Sequence, residues 1–354
     1  MEEEPRSSGW QAEAELTIVL NLRQVKHLAR HLDTSVDNLQ RVIEAIPSYC
    51  EELELIDPTK PGKVRTVLNI VGPFRALQDR LLRRVLLPRL QVSPYSHGCV
   101  RGKSIKSNIQ AHGESRFAFA TDISDFYPSV SHKRVYRLFV HEFGCTPDVA
   151  RVCTRICTYR HHLALGLPTS PILADNVLRT VDRRIAVACE KLGLVYTRYV
   201  DDITISGMFP LTPDQSGIPA LIERTLNQHG FLVNSAKHRF GDLSQGFAIT
   251  KLRVRNGRID VRREYFEELM RQICDARSLA AGKQFEGPYY TYAQVMGRVR
   301  FVCWINPGRA RVLIPQAKSV PWNEADLEAR RRGLIVAKKI LRPAQVASGE
   351  SVGS

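Results

Sequence analysis

Acidic residues inside apolar strand patterns are the feature that most restricts how this chain can fold. Residues 117–122 form an apolar segment that ends on Asp122, and residues 197–205 form a second one with Asp201 and Asp202 at its centre. An unpaired buried carboxylate loses its hydration without gaining a partner, which is strongly unfavourable. Mg²⁺ removes that penalty because it prefers carboxylate oxygens. The pattern predicts a hairpin beside a third strand, with the three acids around bound metal.

Two Mg²⁺ ions roughly 3.5–4 Å apart can activate an attacking hydroxyl and stabilise a leaving pyrophosphate. The alternative interpretation is that Asp201-Asp202 is only a polar hairpin turn. A Tyr-x-Asp-Asp tetrapeptide inside an apolar strand is expected by chance in roughly a few per cent of chains this long. The flanking residues Tyr199 and Ile203 therefore favour nucleotidyl transfer.

The charge balance points to a polyanionic partner. The chain has 51 Lys and Arg against 36 Asp and Glu, a net charge of +15, which is typical of proteins that bind nucleic acid. A basic protein without such a role is the alternative.

Hydrophobic residues make up 44% and charged residues 25%, which excludes a disordered chain. The eight scattered cysteines and the absence of a membrane-length apolar run predict a cytoplasmic protein with reduced thiols and no membrane partner.

Hydrophobic periodicity predicts mixed helices and strands. Helices are expected over 16–48 (two short ones), 73–90, 131–142, 147–158, 171–192, 219–229, 263–282, 291–304 and 327–341. Strands are expected on both sides of a basic turn at 58–63, at the two acidic segments, and at 231–234, 246–254 and 258–261, the last two joined at Asn256-Gly257. Cys153 and Cys157 lie one helical turn apart near His161 and His162; core packing is favoured over a metal site.

Five motifs in a fixed order resemble those of bacterial reverse transcriptases, most closely the retron and related phage-defence group. The resemblance covers roughly residues 50–310, and its motif segments are 97–112, 122–130, 166–176, 199–202 and 230–237. It implies an α+β fold of the right-hand polymerase type, with fingers, palm and thumb and an antiparallel palm sheet. The implied regions are a loose acidic tail (1–12), N-terminal helices and fingers (13–116), a palm with finger insertions (117–250), a basic thumb-like region (251–342) and a loose tail (343–354).

The resemblance also assigns the chemistry. Its implied catalytic residues are Asp122, Asp201, Asp202 and Lys237, the last protonating the leaving pyrophosphate. Its implied metal-site residues are Asp122, Ile123, Asp201 and Asp202, which would hold two Mg²⁺ ions, with Mn²⁺ as the alternative.

Nucleotide binding is expected at three places. Lys63 and Arg65, with Lys60, lie on the predicted hairpin that clamps the triphosphate in the family. Tyr127 would lie under the sugar and exclude a ribose 2′-hydroxyl, with a core tyrosine as the alternative. The third motif contributes Gly166, Pro168 and Ser170. Asp125 is expected to cap the following turn or to contact the nucleotide.

Two positions depart from the family pattern. Ala164-Leu165-Gly166 stands where the family usually has Pro-Gln-Gly, so the glutamine amide that contacts the nucleotide is absent. Lys251 stands where retron enzymes usually carry glycine. The first change predicts altered substrate choice or an unusual priming mode.

The resemblance implies an RNA-directed DNA polymerase that copies a cognate structured non-coding RNA within an antiviral defence system. Its expected partners are that RNA template, dNTPs, the DNA product and a toxin or effector protein. Basic residues of the C-terminal third are expected to grip a duplex or structured RNA: Arg262, Arg263, Arg271, Arg298, Arg300, Arg309, Arg311 and Arg330 to Arg332. Template-independent or protein-primed DNA synthesis and a catalytically idle RNA-binding scaffold are the alternative functions.

Overall fold

The structure, a computed structural model, describes residues 20, 22–56, 64–212, 216–255, 258–336 and 340–343. Lys60 and Lys63, the turn at Asn256-Gly257, and the two expected tails apart from Pro343 lie outside the described residues. The described part combines helices with antiparallel sheets, which confirms the α+β class.

In the described residues, three sheets are built from strands that all pair antiparallel. The strands are β1 (Cys50–Ile56), β2 (Val64–Ile70), β3 (Phe117–Asp122), β4 (Val195–Tyr199), β5 (Asp202–Gly207), β6 (Arg239–Asp242), β7 (Leu252–Arg255), β8 (Arg258–Val261) and β9 (Ile340–Pro343). Their orders are β2-β1-β9, β4-β5-β3-β6 and β7-β8. In the four-stranded sheet Asp122 lies opposite Asp202. The predicted hairpin and its neighbouring strand are therefore confirmed.

The edge of that sheet differs from the prediction. Residues 231–234 form only a bridge between Val233 and Ile123, and the edge strand is β6, which is polar and was not predicted. The apolar alternation of 231–234 reflects burial of Phe231 rather than strand pairing. An edge strand needs fewer apolar residues because part of it faces water, so β6 gives a weak signal. The strand predicted over 246–254 begins only at Leu252.

Helices cover the sheets and form most of the C-terminal region. They are α1 (Val25–His31), α2 (Val36–Glu44), α3 (Gly72–Arg80), α4 (Ile105–Gln110), α5 (Phe126–Ser129), α6 (His132–Arg137), α7 (Pro147–Cys157), α8 (Ser170–Glu190), α9 (Ile218–Gln228), α10 (Arg263–Ala280), α11 (Tyr292–Ile305), α12 (Ala310–Lys318) and α13 (Trp322–Arg331). The α3 segment continues to Arg89 and α6 to Glu142, each through a π-helical turn. The predicted helices are confirmed in position except at the C-terminal end.

The helix predicted over 327–341 is wrong in its second half. Helix α13 ends at Arg331, and Gly333 follows with φ +65°, a conformation in which glycine commonly terminates helices. Residues 340–343 instead form β9, which pairs with β1. Helix α12 was not predicted, because Pro315 inside it interrupts the helical pattern.

Two hydrophobic cores support these elements. The first lies between the N-terminal helices, α7, α8 and the central sheet, and the second between α10, α11, α12 and α13. Cys153 and Cys157 are fully buried in the first core, which confirms the packing interpretation of these cysteines. Among the described helices, none combines the length and the apolar character that crossing a bilayer requires.

Two buried histidines tie the central sheet to the segment that precedes it. The His112 ring nitrogens lie 2.6 Å from Ser206 Oγ and 2.8 Å from Thr197 Oγ1, on β5 and β4. The His97 Nδ1 lies 2.9 Å from Ser107 Oγ. Burial lowers the pKa of His112 to about 3. Burial and the charge of Lys103 lower the pKa of His97 to about 4.

These histidines are expected to make folding sensitive to mild acid. Each imidazole binds a proton below about pH 6.5 when unfolded, but only near pH 3 to 4 when folded. The unfolded state therefore binds more protons in this window. As the pH is lowered through it, the free energy of unfolding should decrease by about 1.4 kcal/mol per pH unit for each histidine. Denaturant titrations between about pH 4.5 and 6.5 should show a shallower pH slope for His112→Gln than for the unsubstituted protein. Equal slopes would contradict the assignment.

Candidate active site

The predicted acids meet where three strands of the central sheet end. Strands β4 and β5 are joined by a turn at Val200 and Asp201, and the backbone of Val200 is left-handed, with φ +62°. The amide of Ile123 donates to the carbonyl of Asp201 (3.1 Å), which fixes the turn beside the end of β3. The carbonyl of Asp122 accepts from the Asn234 amide (3.0 Å). Backbone pairing thus places all three acids at one end of the sheet.

The two acids of the turn, Asp201 and Asp202, have raised pKa values. Burial of the carboxylate, followed by the negative charges of Asp201 and Asp122, raises the pKa of Asp202 to about 6, although the residue as a whole is exposed. Burial is also the main cause that raises the pKa of Asp201, and the charge of Asp122 adds to it. Burial and mutual repulsion therefore make the charged forms of these acids less favourable, and a bound cation would relieve that cost.

Asp122 has one satisfied and one unsatisfied oxygen. Its Oδ2 accepts a hydrogen bond from the ammonium of Lys237, whose side chain is otherwise largely exposed. Its Oδ1 is buried and has no hydrogen-bond partner in the described part of the chain. An orphaned carboxylate oxygen beside two more carboxylates suits a hard divalent cation.

The three acids have the ligand chemistry of a cation site, but their arrangement does not form one. In the described ranges, no group of three or more His, Cys, Asp or Glu side chains is arranged so that it could hold a metal ion. Ile123 has a buried apolar side chain, so it can offer only its backbone carbonyl to a metal. The ligand chemistry of the predicted site is present, and its exact ligand set stays a prediction.

A cleft of about 960 Å³ opens above the acids and contains several predicted nucleotide-binding residues. Arg65, on β2, lies exposed on one wall, and its positive charge acts on Asp201. Tyr127, on α5, lies half-buried in the cleft, and burial raises the pKa of its hydroxyl. Lys237 lies on the cleft surface beside Asp122. The structure thus brings a cation, an aromatic ring and the acids around one space.

The third motif lies against the cleft wall rather than inside it. Gly166, Pro168 and Ser170 are not among the residues that line the cleft. Gly166 has φ +113°, and a Cβ there would collide with the Leu68 carbonyl group on β2. Ser170 Oγ is buried and donates to the Ala164 carbonyl (2.8 Å). The motif therefore joins β2 to the start of α8, and its predicted nucleotide contacts stay predictions.

The two positions that depart from the family pattern have distinct surroundings. Leu165 lines the cleft with 38% of its surface exposed, and its carbonyl accepts from the Leu68 amide (2.7 Å). An apolar side chain therefore faces the cleft where the family has an amide. Lys251 has φ +73°, a left-handed conformation that glycine adopts freely, which explains why glycine suits this position.

Asp125 does not form the predicted side-chain cap. Its backbone is left-handed, with φ +42°, and helix α5 begins after it without a hydrogen bond from the Asp125 side chain. The exposed carboxylate lines the cleft instead. The other interpretation, a contact with bound nucleotide, is still a prediction.

Two features of the cleft were missed by the sequence-based predictions. One is a wall formed by the turn between α7 and the third motif, where Arg160 pairs with Glu52 of β1 (3.0 Å). The other is Arg198, which is buried behind the cleft and donates to the Val200 carbonyl in the turn that carries Asp201 (2.8 Å). A charged residue in the middle of the apolar segment 195–199 was a signal for the second feature. No comparable signal in the sequence indicates the pairing of Arg160 with Glu52.

Comparisons with known proteins agree with this site. Residues 58–254 match the family described as reverse transcriptase (RNA-dependent DNA polymerase). The chain is 28% identical over 261 residues to the Retron Ec86 reverse transcriptase of Escherichia coli, which covers 73% of this chain and 78% of that protein. It is 31% identical over 280 residues to the Retron Mx65 reverse transcriptase of Myxococcus xanthus, a match that covers 74% of this chain and 63% of that protein. The matched family region includes all three acids and all the cleft-lining residues except Glu52, so the chain belongs to the reverse transcriptase family, as a retron-like bacterial member and an RNA-directed DNA polymerase.

Proposed function

We propose that this protein copies a cognate structured non-coding RNA into DNA, with Asp122, Asp201 and Asp202 holding two Mg²⁺ ions, or Mn²⁺ in their place. The observation that carries the proposal is the convergence of these three carboxylates on a cleft that also contains Arg65 and Tyr127. When bound, the ions would lower the pKa of the attacking 3′-hydroxyl and neutralise charge on the leaving pyrophosphate.

The residues around the acids would each do one task. Arg65 would hold the triphosphate, because its guanidinium is exposed on the cleft wall and can pair with phosphate oxygens. Tyr127 would lie against the sugar and leave no room for a 2′-hydroxyl. Lys237 would move from Asp122 to the leaving pyrophosphate and supply a proton there; its side chain is 60% exposed and so has room to move.

The right-hand layout is part of the proposal. The β1-β2 hairpin and the N-terminal helices would be fingers, the β4-β5-β3-β6 sheet the palm, and the helices from α10 onward the thumb. This last region carries exposed arginines, among them Arg300 and Arg311, which support binding of nucleic acid there. Arg309 and Arg298 instead pair with Asp260 (2.6 Å) and Glu268 (3.2 Å), so their contribution would be structural.

Sequencing of bound nucleic acid tests the template directly. The wild-type protein and the Asp201→Ala/Asp202→Ala variant would be purified from cells, and the copurifying RNA and DNA sequenced. A discrete RNA joined to complementary DNA is expected with the wild type, and the same RNA without DNA is expected with the variant. DNA that matches no copurified RNA would contradict RNA templating.

A second candidate function follows from Leu165. Because an apolar side chain faces the cleft where the family has glutamine, nucleotide selection by the template strand is expected to be looser, which would permit template-independent or protein-primed synthesis. Supplying single dNTPs with and without RNA separates the two functions. Equal incorporation without RNA would favour the second.

The biological setting we propose is antiviral defence in the cytoplasm, with a toxin or effector protein as an additional partner. The support is the resemblance of the motifs to the retron and phage-defence group. Plaque counts on cells that carry the wild-type or the Asp201→Ala/Asp202→Ala protein, with its native flanking genes, would test this role. Equal plaque counts would contradict a defence role that depends on DNA synthesis.

A further inference from the structure

Arg198 is a buried cation with an unusually complete set of partners. It is 1% exposed and lies on β4, two residues before the turn that carries Asp201. Its Nε and Nη2 donate to the two oxygens of Asp182 (2.8 and 2.7 Å), and Nη2 also donates to Asp175 (2.8 Å). Its Nη1 donates to the carbonyl of Val200 (2.8 Å). One guanidinium thus connects helix α8 to the turn of the acids.

The two aspartates keep this cation charged and fixed. Burial alone would lower the pKa of Arg198, but the charges of Asp182 and Asp175 outweigh burial and raise it. Asp182 also accepts from the Tyr196 hydroxyl (2.7 Å), and Asp175 accepts from the Ser93 amide (2.9 Å). Because every partner is itself anchored, the guanidinium has little freedom to move.

The turn that Arg198 contacts is strained. Val200 is β-branched and has φ +62°, a conformation that such residues rarely adopt and that surrounding contacts must enforce. Gly98 packs against the same turn: a Cβ at Gly98 would collide with the Val200 amide and lie 2.9 Å from the Tyr199 carbonyl carbon. The turn is therefore held between a hydrogen bond from Arg198 and the backbone of Gly98.

We propose that Arg198 is a positioning residue: its hydrogen bond to the Val200 carbonyl holds the turn in the left-handed conformation that directs Asp201 and Asp202 into the cleft. This inference rests on the proposed function of the acids. Arg198 touches neither substrate nor metal and acts only through the turn. Such outer partners of metal ligands typically change metal affinity or activity by 10- to 100-fold when lost.

Arg198→Lys is the informative variant. A lysine ammonium keeps the charge between Asp175 and Asp182 but lacks the planar fork that also reaches the Val200 carbonyl. We expect kcat to fall about 10- to 100-fold and the Mg²⁺ concentration for half-maximal activity to rise about 10-fold, while KM for dNTP stays close to that of the wild type. Arg80→Lys is the matched control, because Arg80 donates to the Leu32 and Asp33 carbonyls away from the cleft. It should show wild-type kinetics.

A second variant moves the turn without touching the buried ions. Gly98→Ala should push the Val200 backbone away and produce the same fall in kcat and the same shift in Mg²⁺ dependence. Thermal melting identifies any variant that does not fold. Wild-type kinetics and Mg²⁺ dependence in folded Arg198→Lys would overturn the proposal. If Arg198→Lys does not fold, wild-type behaviour of Gly98→Ala overturns it. Failure of the proposed function itself would be distinguished by an active Asp201→Asn variant.

Discussion

Asp201→Asn is expected to lower the rate of DNA synthesis by about 1,000-fold, equivalent to about 4 kcal/mol of transition-state stabilisation. The substitution keeps the size of the side chain but removes a negative charge from the turn between β4 and β5. An amide oxygen is a weaker ligand for Mg²⁺ than a carboxylate, so the developing charges of the reaction would lose their compensation. The measurement is dNTP incorporation on a primed RNA template at saturating Mg²⁺.

The control is the same substitution at Asp148, an exposed residue in the first turn of α7 whose carboxylate pairs with Arg151 (3.2 Å) and does not line the cleft. It should leave the rate unchanged. Loss of the acid charge also relieves repulsion at Asp202, so Asp201→Asn should fold at least as stably as the wild type. A folded Asp201→Asn variant within about tenfold of the wild-type rate would rule out the proposed role of the turn.

Tyr127→Ala is expected to increase the use of ribonucleotides relative to deoxynucleotides by about 100-fold. Tyr127 lines the cleft near the acids, and its ring would collide with a ribose 2′-hydroxyl. Removing the ring opens that space. The measurement is the ratio of kcat/KM for each rNTP and its dNTP, which separates discrimination from a general loss of activity.

Tyr127→Phe is the matched variant for this prediction. It keeps the ring and removes only the hydroxyl, so the preference for deoxynucleotides should persist. If Tyr127→Ala lowers thermal stability but leaves the ratio unchanged, Tyr127 would be a core residue that packs beside Phe126 and has no part in sugar selection.

The sequence predicted that the three acids would lie at one end of the sheet, because their signal is local. A carboxylate within an apolar strand has few explanations, and strand pairing then dictates which acids meet. The π-helical turn within 81–86 and the polar edge strand β6 left no comparable pattern. Strand β6 depends on a neighbour, β3, that lies more than a hundred residues earlier in the chain.

Roles that depend on long-range packing were harder to predict. Gly166 was expected to contact the nucleotide, but its most evident constraint is the close approach of Leu68, which no local pattern reveals. Arg198 is recognisable in the sequence as a charged residue within an apolar strand pattern. Its role, however, depends on Asp175 and Asp182, which lie on a helix that precedes it. Burial of a charge becomes interpretable only when its partners are known.

Strand β9 has a consequence for how this protein is made. Residues 340–343 complete the sheet that contains β1, pairing Leu53 with Pro343 near the other end of the chain. During synthesis β1 and β2 can pair early, but their sheet stays open at one edge until residue 343 leaves the ribosome. Contacts of such long sequence separation form slowly, and exposed strand edges favour aggregation. Assembly of this sheet is therefore expected to be a late folding step, sensitive to chaperones and to the rate of translation.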